Sequence, residues 1–476
     1  MKHNYIGGEW VGAKAEIPNI NPSNTDEVID SYAQAGQAET EQAVEAAADA
    51  FENWRYSDPQ TRHDCLRAIA RGIMRSKDDI ARMLAREEGK ILREALAETE
   101  RAARIFDFFA GEALRQAGDL LPSVRAGVSV EITREAVGPV GLITPWNFPI
   151  AIPAWKIAPA LCYGNTVVLK PAELVPGSAW LLTEIIADAG LPDGVFNLVM
   201  GPGSVVGQAL LDAPKIRAIS FTGSTATGAR VAEACLRHNR KYQLEMGGKN
   251  PLVVLDDADL DVATSAALDG AFFSTGQRCT ASSRLIVTEG IHGRFVEQLT
   301  EKLRALRVGP ALDPTSQMGP VVDQTQLDQN LAYIEGARRK GANLRAGGSL
   351  VSRDTPGFFL EPTLFTDTHP LMRINREEVF GPVATVIRAR DYDEALALAN
   401  ETEFGLTAGI CTTSLRYAQH FKAHAQAGMV MVNLPTAGVD YHVPFGGTKG
   451  SSFGPREQGR YAAEFFTTVK TAYVNA

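Results

Sequence analysis

Cysteine is scarce in this chain of 476 residues, with five in all: Cys65, Cys162, Cys235, Cys279 and Cys411. They are far apart, odd in number and free of any Cys-x-x-Cys, which argues against a disulfide framework or a zinc ribbon. A reducing cytoplasm is the natural setting for such a chain. Long apolar runs are also missing, so no segment reads as a membrane span. The opening residues, Met1 to Trp10, contain no apolar core beside a cleavage site and do not read as a secretory signal. Positive charge is in deficit: 47 lysines and arginines face 56 acidic residues, a net charge of −9. That balance argues against nucleic-acid binding, which needs a basic face. No internal repeat or low-complexity segment is present. An apolar content of 45% and a charged content of 22% describe an ordinary globular protein. The length predicts two large domains, with interleaving allowed.

The pattern of elements is that of an α/β protein. Short strands flank a turn at Gly7-Gly8, and a long helical region runs from Thr40 to about Glu112, broken at Asp58-Pro59. Val128 to Ala136 alternates apolar and polar residues, as a half-exposed ribbon strand does. An exposed ribbon has open edges, which points to subunit assembly. From residue 140 the order becomes strand, helix, strand, helix, strand, with strands at 140–143, 166–169 and 195–199. This is the order of a mononucleotide-binding half of a doubly wound sheet. A further strand at 218–221 and a helix to Leu236 follow. A second α/β unit begins at Leu252-Val253-Val254-Leu255. His420 and His424 have the spacing of a metal pair but no carboxylate motif around them, and a solvated helix face is the expectation.

Candidate chemistry sits at the strand ends. The first strand runs into Thr144-Pro145-Trp146-Asn147-Phe148-Pro149, where Asn147 is the only side-chain amide and could donate into a cleft. It could equally bond its own turn. Lys170 and Glu173 follow the second strand, and such a pair can bind the hydroxyls of a ribose or simply form a solvated charge pair. Thr222-Gly223-Ser224 opens a helix whose start suits phosphate, although a plain cap at Ser224 explains the same residues. Glu245, after an apolar strand and before Gly247-Gly248, could be a half-buried carboxyl of raised pKa and act as a general base. Cys279 follows a small-residue helix broken by Gly276. A lone cysteine is usually an inert core residue, so its meaning depends on these neighbours.

Taken in order, Trp146-Asn147-Phe148-Pro149, Lys170-Pro171-Ala172-Glu173, Phe221-Thr222-Gly223-Ser224, Leu244 to Lys249, Gly276-Gln277-Arg278-Cys279, Glu377 to Pro382 and Pro444 to Lys449 resemble the NAD(P)-dependent aldehyde dehydrogenase superfamily. The resemblance covers essentially the whole chain. It implies a Rossmann-type cofactor domain (1–117 and 138–246), an α/β catalytic domain (247–447) and small oligomerisation strands (118–137 and 461–476). In the family the last of these joins a neighbouring subunit's sheet, giving a homodimer or homotetramer. It implies Cys279 as the nucleophile, Asn147 as an oxyanion donor and Glu245 as the base that activates water. NAD, with NADP as the alternative, would be held by Thr144, Pro145, Trp146, Lys170, Glu173, Gly223, Ser224, Gly247, Glu378 and Phe380. Lys156 matches a lysine near the active site, its role open.

Within the superfamily, residues 151–165, 245–251, 276–281 and 455–459 are similar to α-ketoglutaric semialdehyde (2,5-dioxopentanoate) dehydrogenases. Succinic semialdehyde dehydrogenases carry carboxylate-binding arginines where this chain has Trp155 and Phe273. Phe148, Trp155 and Phe445 then line the substrate pocket, with Arg278 and Arg104 as candidates for a carboxylate partner or for structural ion pairs. Glycolaldehyde is a further candidate substrate. A CoA-acylating relative and an inactive nucleotide-binding homologue are the other two readings. Glu245 speaks against the first of these, and an intact Cys279, Asn147 and Glu245 against the second.

Overall fold

The structure, a computed structural model, describes residues 1–475 and is built on two twisted sheets, each covered by helices. The first has eight strands. Its centre is parallel: Phe196–Leu198, Thr166–Lys170, Pro139–Ile143, Ala218–Thr222 and Lys241–Glu245, in that spatial order. The hairpin Asn4–Ile6 and Glu9–Val11 extends one side, and Ser452–Phe453, from near the end of the chain, closes the other. The chain moves outward from Pro139–Ile143 in one direction, then returns and continues in the other. The strand order therefore reverses between Pro139–Ile143 and Ala218–Thr222, and a crevice opens at their carboxyl ends, where such sheets bind ligands.

The second sheet has seven strands, in the order Asn343–Ala346, Thr363–Thr366, Val383–Ala389, Ser282–Thr288, Asn250–Val254, Thr407–Cys411 and Met429–Val432, parallel except for the first. The link Met246–Lys249 carries the chain directly from the carboxyl end of Lys241–Glu245 to Asn250. Residues leaving the first sheet thus meet residues entering the second.

The expected helical region resolves into Gln37–Trp54, Pro59–Arg75, Lys77–Glu88 and Leu92–Ala113. Asp58 caps the second, accepting from the Thr61 N–H at 2.9 Å, with Pro59 at the first helical position, where its missing N–H costs nothing. Leu92–Ala113 buries Ala95, Ala102, Ala103, Phe106 and Phe109 along one stripe, and packs on the helix Ala151–Cys162, which is buried throughout. A buried phenylalanine contributes about 2–3 kcal/mol, so this contact fixes the helix firmly against the first sheet. One hairpin, Ala15–Asn21 with Asn24–Gln34, extends beyond the strands expected near the start of the chain. Its second strand lacks apolar alternation.

The last strand, Thr467–Asn475, pairs along its whole length with this chain's own Val128–Ala136, from Thr467 opposite Ala136 to Asn475 opposite Val128. The tail is thus the edge strand of this small sheet, with its other side unpaired among the described residues. Asp119–Pro122 completes a three-stranded sheet. Leu120, Leu121, Val124, Val469 and Tyr473 on it are exposed.

The helix Leu260–Phe272 ends in a tight turn in which Ser274 and Thr275 both have positive φ (51° and 56°) and Gly276 has φ of +64°. A Cβ at Gly276 would overlap the Gly381 carbonyl oxygen. Gly276→Ala is therefore expected to destabilise the fold by about 1–3 kcal/mol, read as a lowered denaturation midpoint. An unchanged midpoint would show that this turn is not under the constraint described.

Candidate active site

Cys279 lies just before the strand Ser282–Thr288, at the entry of the second sheet, and Glu245 is the last residue of Lys241–Glu245 in the first. Asn250 ties the two together. Its side-chain amide donates to the carbonyls of Cys279 (2.7 Å) and Ala281 (2.9 Å). Gly248 passes so close to the Cys279 carbonyl that any Cβ there would collide with it.

Cys279 is half-buried, whereas the other four cysteines are buried and unpaired. Burial pushes its thiol well above the ordinary value, and the nearby carboxylates of Glu378, Glu245 and Glu457 push it further. Glu245 is buried. Burial, then the charge of Glu457, raises its carboxyl well above the usual range. The Ser452 hydroxyl donates to its Oε2 at 2.5 Å and opposes that shift in part. A carboxyl whose proton affinity is raised in this way is a stronger base than an exposed one.

Behind Glu245 lies a buried polar network: Lys156 is ion-paired with Glu457 and donates to the Ser220 hydroxyl at 2.7 Å, and Ser220 donates to Gln243 Oε1 at 2.9 Å. Lys156 thereby gains defined partners.

Asn147 is 3% exposed, and its side-chain amide donates to the Gln277 carbonyl at 3.0 Å, two residues before Cys279. The amide carries a second N–H. Its loop is held from below by a buried pair that the sequence reading did not single out. Lys90 Nζ is 2.6 Å from Glu98 Oε2 and donates to the Asn147 carbonyl at 2.8 Å, while Glu98 Oε1 accepts from the N–H groups of Ile150 and Ala151. Lys90 also sits 3.8 Å over the ring of Phe148. Two charges packed out of water and fully bonded hold a loop in one geometry.

At the crevice of the first sheet, Thr144 and Thr222 have buried hydroxyls without partners. Lys170 is buried, 3.7 Å from the exposed Glu173. Glu173 in turn accepts from the Gly203 N–H at 2.6 Å. Burial lowers the Lys170 ammonium pKa, against the pull of Glu173. Ser224 caps the helix Thr225–Arg237 by accepting from the Thr227 N–H at 3.3 Å, and the Gly223 N–H donates to the Glu245 carbonyl. Phe380, at φ +58°, packs edge-on against Trp146 with ring centres 5.2 Å apart. Beside Pro145 and Trp146 at this end of the sheet, Glu378 accepts from the Gly248 N–H at 2.8 Å. A Cβ at Gly247 would overlap the Glu378 carboxylate. Burial raises Glu378 to about 7 and lowers its neighbour Lys249 to about 7. Free hydroxyls, a carboxylate on a glycine cradle and an open helix start fit a dinucleotide.

Trp155 stacks on Phe445, with ring centres 5.3 Å apart, so those two expected pocket residues meet. The two candidate arginines have partners within the protein, although Arg278 Nε is buried without one. Arg104 is exposed and bonded to Glu100 one turn back. Arg278 donates to the Asp269 and Gly270 carbonyls near the end of Leu260–Phe272. His420 bonds the Tyr392 hydroxyl at 2.7 Å and stacks on His424.

The aldehyde dehydrogenase family model matches residues 10–472. The chain is 43% identical over 476 residues to an α-ketoglutaric semialdehyde dehydrogenase of Bacillus subtilis strain 168, covering 99% of this chain and 97% of that one. It is likewise 43% identical over 477 residues to an α-ketoglutarate semialdehyde dehydrogenase of Haloferax volcanii, covering 99% and 98%. Among solved structures, the betaine aldehyde dehydrogenase of Staphylococcus aureus in complex with NAD+ superimposes with a TM-score of 0.97 at 34% identity, covering 100% of this chain and 95% of that one.

The raised thiol makes a definite expectation. Without cofactor, alkylation of Cys279 by iodoacetamide should accelerate steadily with pH, about tenfold per unit, across the range between neutral and the usual thiol pKa. The reaction should vanish in Cys279→Ala. A plateau near neutral pH would mean that the thiol is depressed, not raised.

Proposed function

The chain belongs to the aldehyde dehydrogenase family and is an oxidoreductase acting on aldehydes, and on that footing we propose that it oxidises α-ketoglutaric semialdehyde (2,5-dioxopentanoate) to 2-oxoglutarate with NAD. The full-length similarity to semialdehyde dehydrogenases of that specificity carries the choice of substrate.

Cys279 Sγ attacks the aldehyde carbon and forms a thiohemiacetal. Its oxygen takes hydrogen bonds from the second N–H of Asn147 and from the Cys279 backbone N–H, each worth about 3–4 kcal/mol where charge develops. The thiol gives up its proton to solvent water as it attacks, which leaves Glu245 free to act as a base in the later step. NAD, when bound, would supply the hydride acceptor needed for the thiohemiacetal to become a thioester. Glu245 then takes a proton from water as the water attacks that thioester, and the acid leaves with the Cys279 thiol regenerated. Thiol-mediated release would need no such base, so Glu245 favours hydrolysis over CoA acylation.

The NAD residues divide by position. Lys170 and Glu173 hold the adenosine ribose, where the Glu173 carboxylate repels the extra phosphate of NADP. Trp146, Gly223 and Ser224 lie along the pyrophosphate, with Thr144 and Pro145 beside them. Glu378 holds the nicotinamide ribose, Gly247 leaves it room, and Phe380 packs beside the ring. On this reading, residues 1–117 and 138–246 form the cofactor domain and 247–447 the catalytic domain. Residues 118–137 and 461–476, with their exposed apolar side chains, form the contact of a homodimer or homotetramer. Among the described residues no helix is long and apolar enough to cross a membrane, and five unpaired cysteines suit a cytoplasmic enzyme.

The test is NAD reduction by the purified enzyme with 2,5-dioxopentanoate, succinic semialdehyde and glycolaldehyde. The highest kcat/KM is expected with 2,5-dioxopentanoate, with turnover lost in Cys279→Ala. A preference for either other aldehyde would overturn the substrate, and equal efficiency with NADP would overturn the role of Glu173.

A further inference from the structure

With Arg104 and Arg278 bound elsewhere, the pocket still lacks a partner for a substrate carboxylate. One cation near it has no counter-ion. Arg101 lies on Leu92–Ala113, one turn after Glu98, with its guanidinium carbon 5.6 Å from the centre of the Trp155 ring. The charge of Glu98 favours the Arg101 cation, but Glu98 forms no ion pair with it, because its oxygens are taken by Lys90 and by the Ile150 and Ala151 N–H groups. Asp440 lies within electrostatic range of Arg101 but forms no ion pair with it. Apart from the stacking contact, the one partner of the Arg101 side chain among the described residues is Gln458, whose Oε1 accepts at 3.1 Å.

Three donors in this one cluster are buried and unsatisfied: Arg101 Nε, the indole Nε1 of Trp155 and the amide Nε2 of Gln458. Buried donors without acceptors are costly and rare in folded proteins. Three unsatisfied donors together, one of them on a guanidinium, are complementary to an anionic oxygen ligand. The cluster is close to the chemistry: Trp155 stacks on Phe445, and Arg101 lies within electrostatic range of Cys279.

We propose that Arg101 anchors the carboxylate at the far end of the semialdehyde, with Trp155 Nε1 and Gln458 Nε2 donating to its remaining carboxylate and 2-oxo oxygens. This rests on the substrate reading above. A planar guanidinium matches a carboxylate with two parallel hydrogen bonds, and the aldehyde end of the five-carbon chain then extends toward Cys279. The arrangement also explains how a chain with aromatics at Trp155 and Phe273 recognises an acidic aldehyde. The cation enters from the long helix on the other side of the Trp155 ring.

The experiment compares kcat/KM for 2,5-dioxopentanoate and for pentanal, an uncharged aldehyde of equal length, in the wild type, Arg101→Met and Arg101→Lys. The wild type should strongly prefer the acidic substrate. Arg101→Met should lose about a hundredfold in kcat/KM for 2,5-dioxopentanoate, mainly through KM, with less than about a threefold change for pentanal. Arg101→Lys should recover part of the loss. Either variant keeping the wild-type preference, or losing both substrates equally while folded, would overturn the role of Arg101 alone. A wild type that does not discriminate would overturn the substrate reading and this inference with it. If Arg101→Met does not fold, Arg101→Lys decides: it must show reduced discrimination, since an ammonium cannot form the paired bonds of a guanidinium.

Discussion

Everything in the site follows from keeping one carboxyl group away from water. Glu245 ends a strand of the first sheet, and Ser452 donates to it from the strand that closes that sheet. Burial raises its proton affinity, and Glu457 raises it further. The same exclusion of water raises the Cys279 thiol. A carboxyl of raised proton affinity can take a proton from water and return it to the departing sulfur. The two sheets exist, in this sense, to bring the exit of one strand against the entry of another with four residues, Met246–Lys249, between them.

Around that pair, the protein uses charges that never touch the reaction to hold the groups that do. Lys90 and Glu98 hold the Asn147 loop through its backbone, so the side-chain amide is aimed without being consumed. Lys156, Ser220, Gln243 and Glu457 form a second bonded cluster behind Glu245. Such clusters are costly unless every member is bonded. At Arg101, Trp155 and Gln458 three donors are left unbonded, and the proposed ligand carboxylate would supply their partner.

The fold and the centre of the site were legible in the sequence because they obey local rules. Strand–helix alternation predicts the parallel sheet, and Asn147, Lys170 and Glu245 stand at or just beyond strand ends where periodic patterns stop. The supporting shell was not legible. Lys90, Glu98 and Glu457 look like ordinary surface charges, and their burial comes from residues far along the chain, as when Lys156 meets Glu457. Arg101 had a signal that was passed over: it lies one helical turn from Glu98 beside the stripe Ala95, Ala102, Phe106, whereas Arg104 lies on the exposed face. Arg278 stands next to the nucleophile in sequence, yet the turn at Gly276 directs its guanidinium back to the preceding helix. The tail strand read correctly as a strand, but its partner within the chain depends on a register that no local pattern encodes.

The central claim is that Glu245 completes the reaction by activating water against a thioester on Cys279. Its most direct test is the mass of the Cys279 peptide from Glu245→Gln, quenched after mixing with NAD and 2,5-dioxopentanoate. The expected result is an acyl adduct on Cys279 two hydrogens lighter than the substrate, with one equivalent of NADH formed and turnover then stalled. An unmodified peptide together with undiminished steady-state turnover would contradict it.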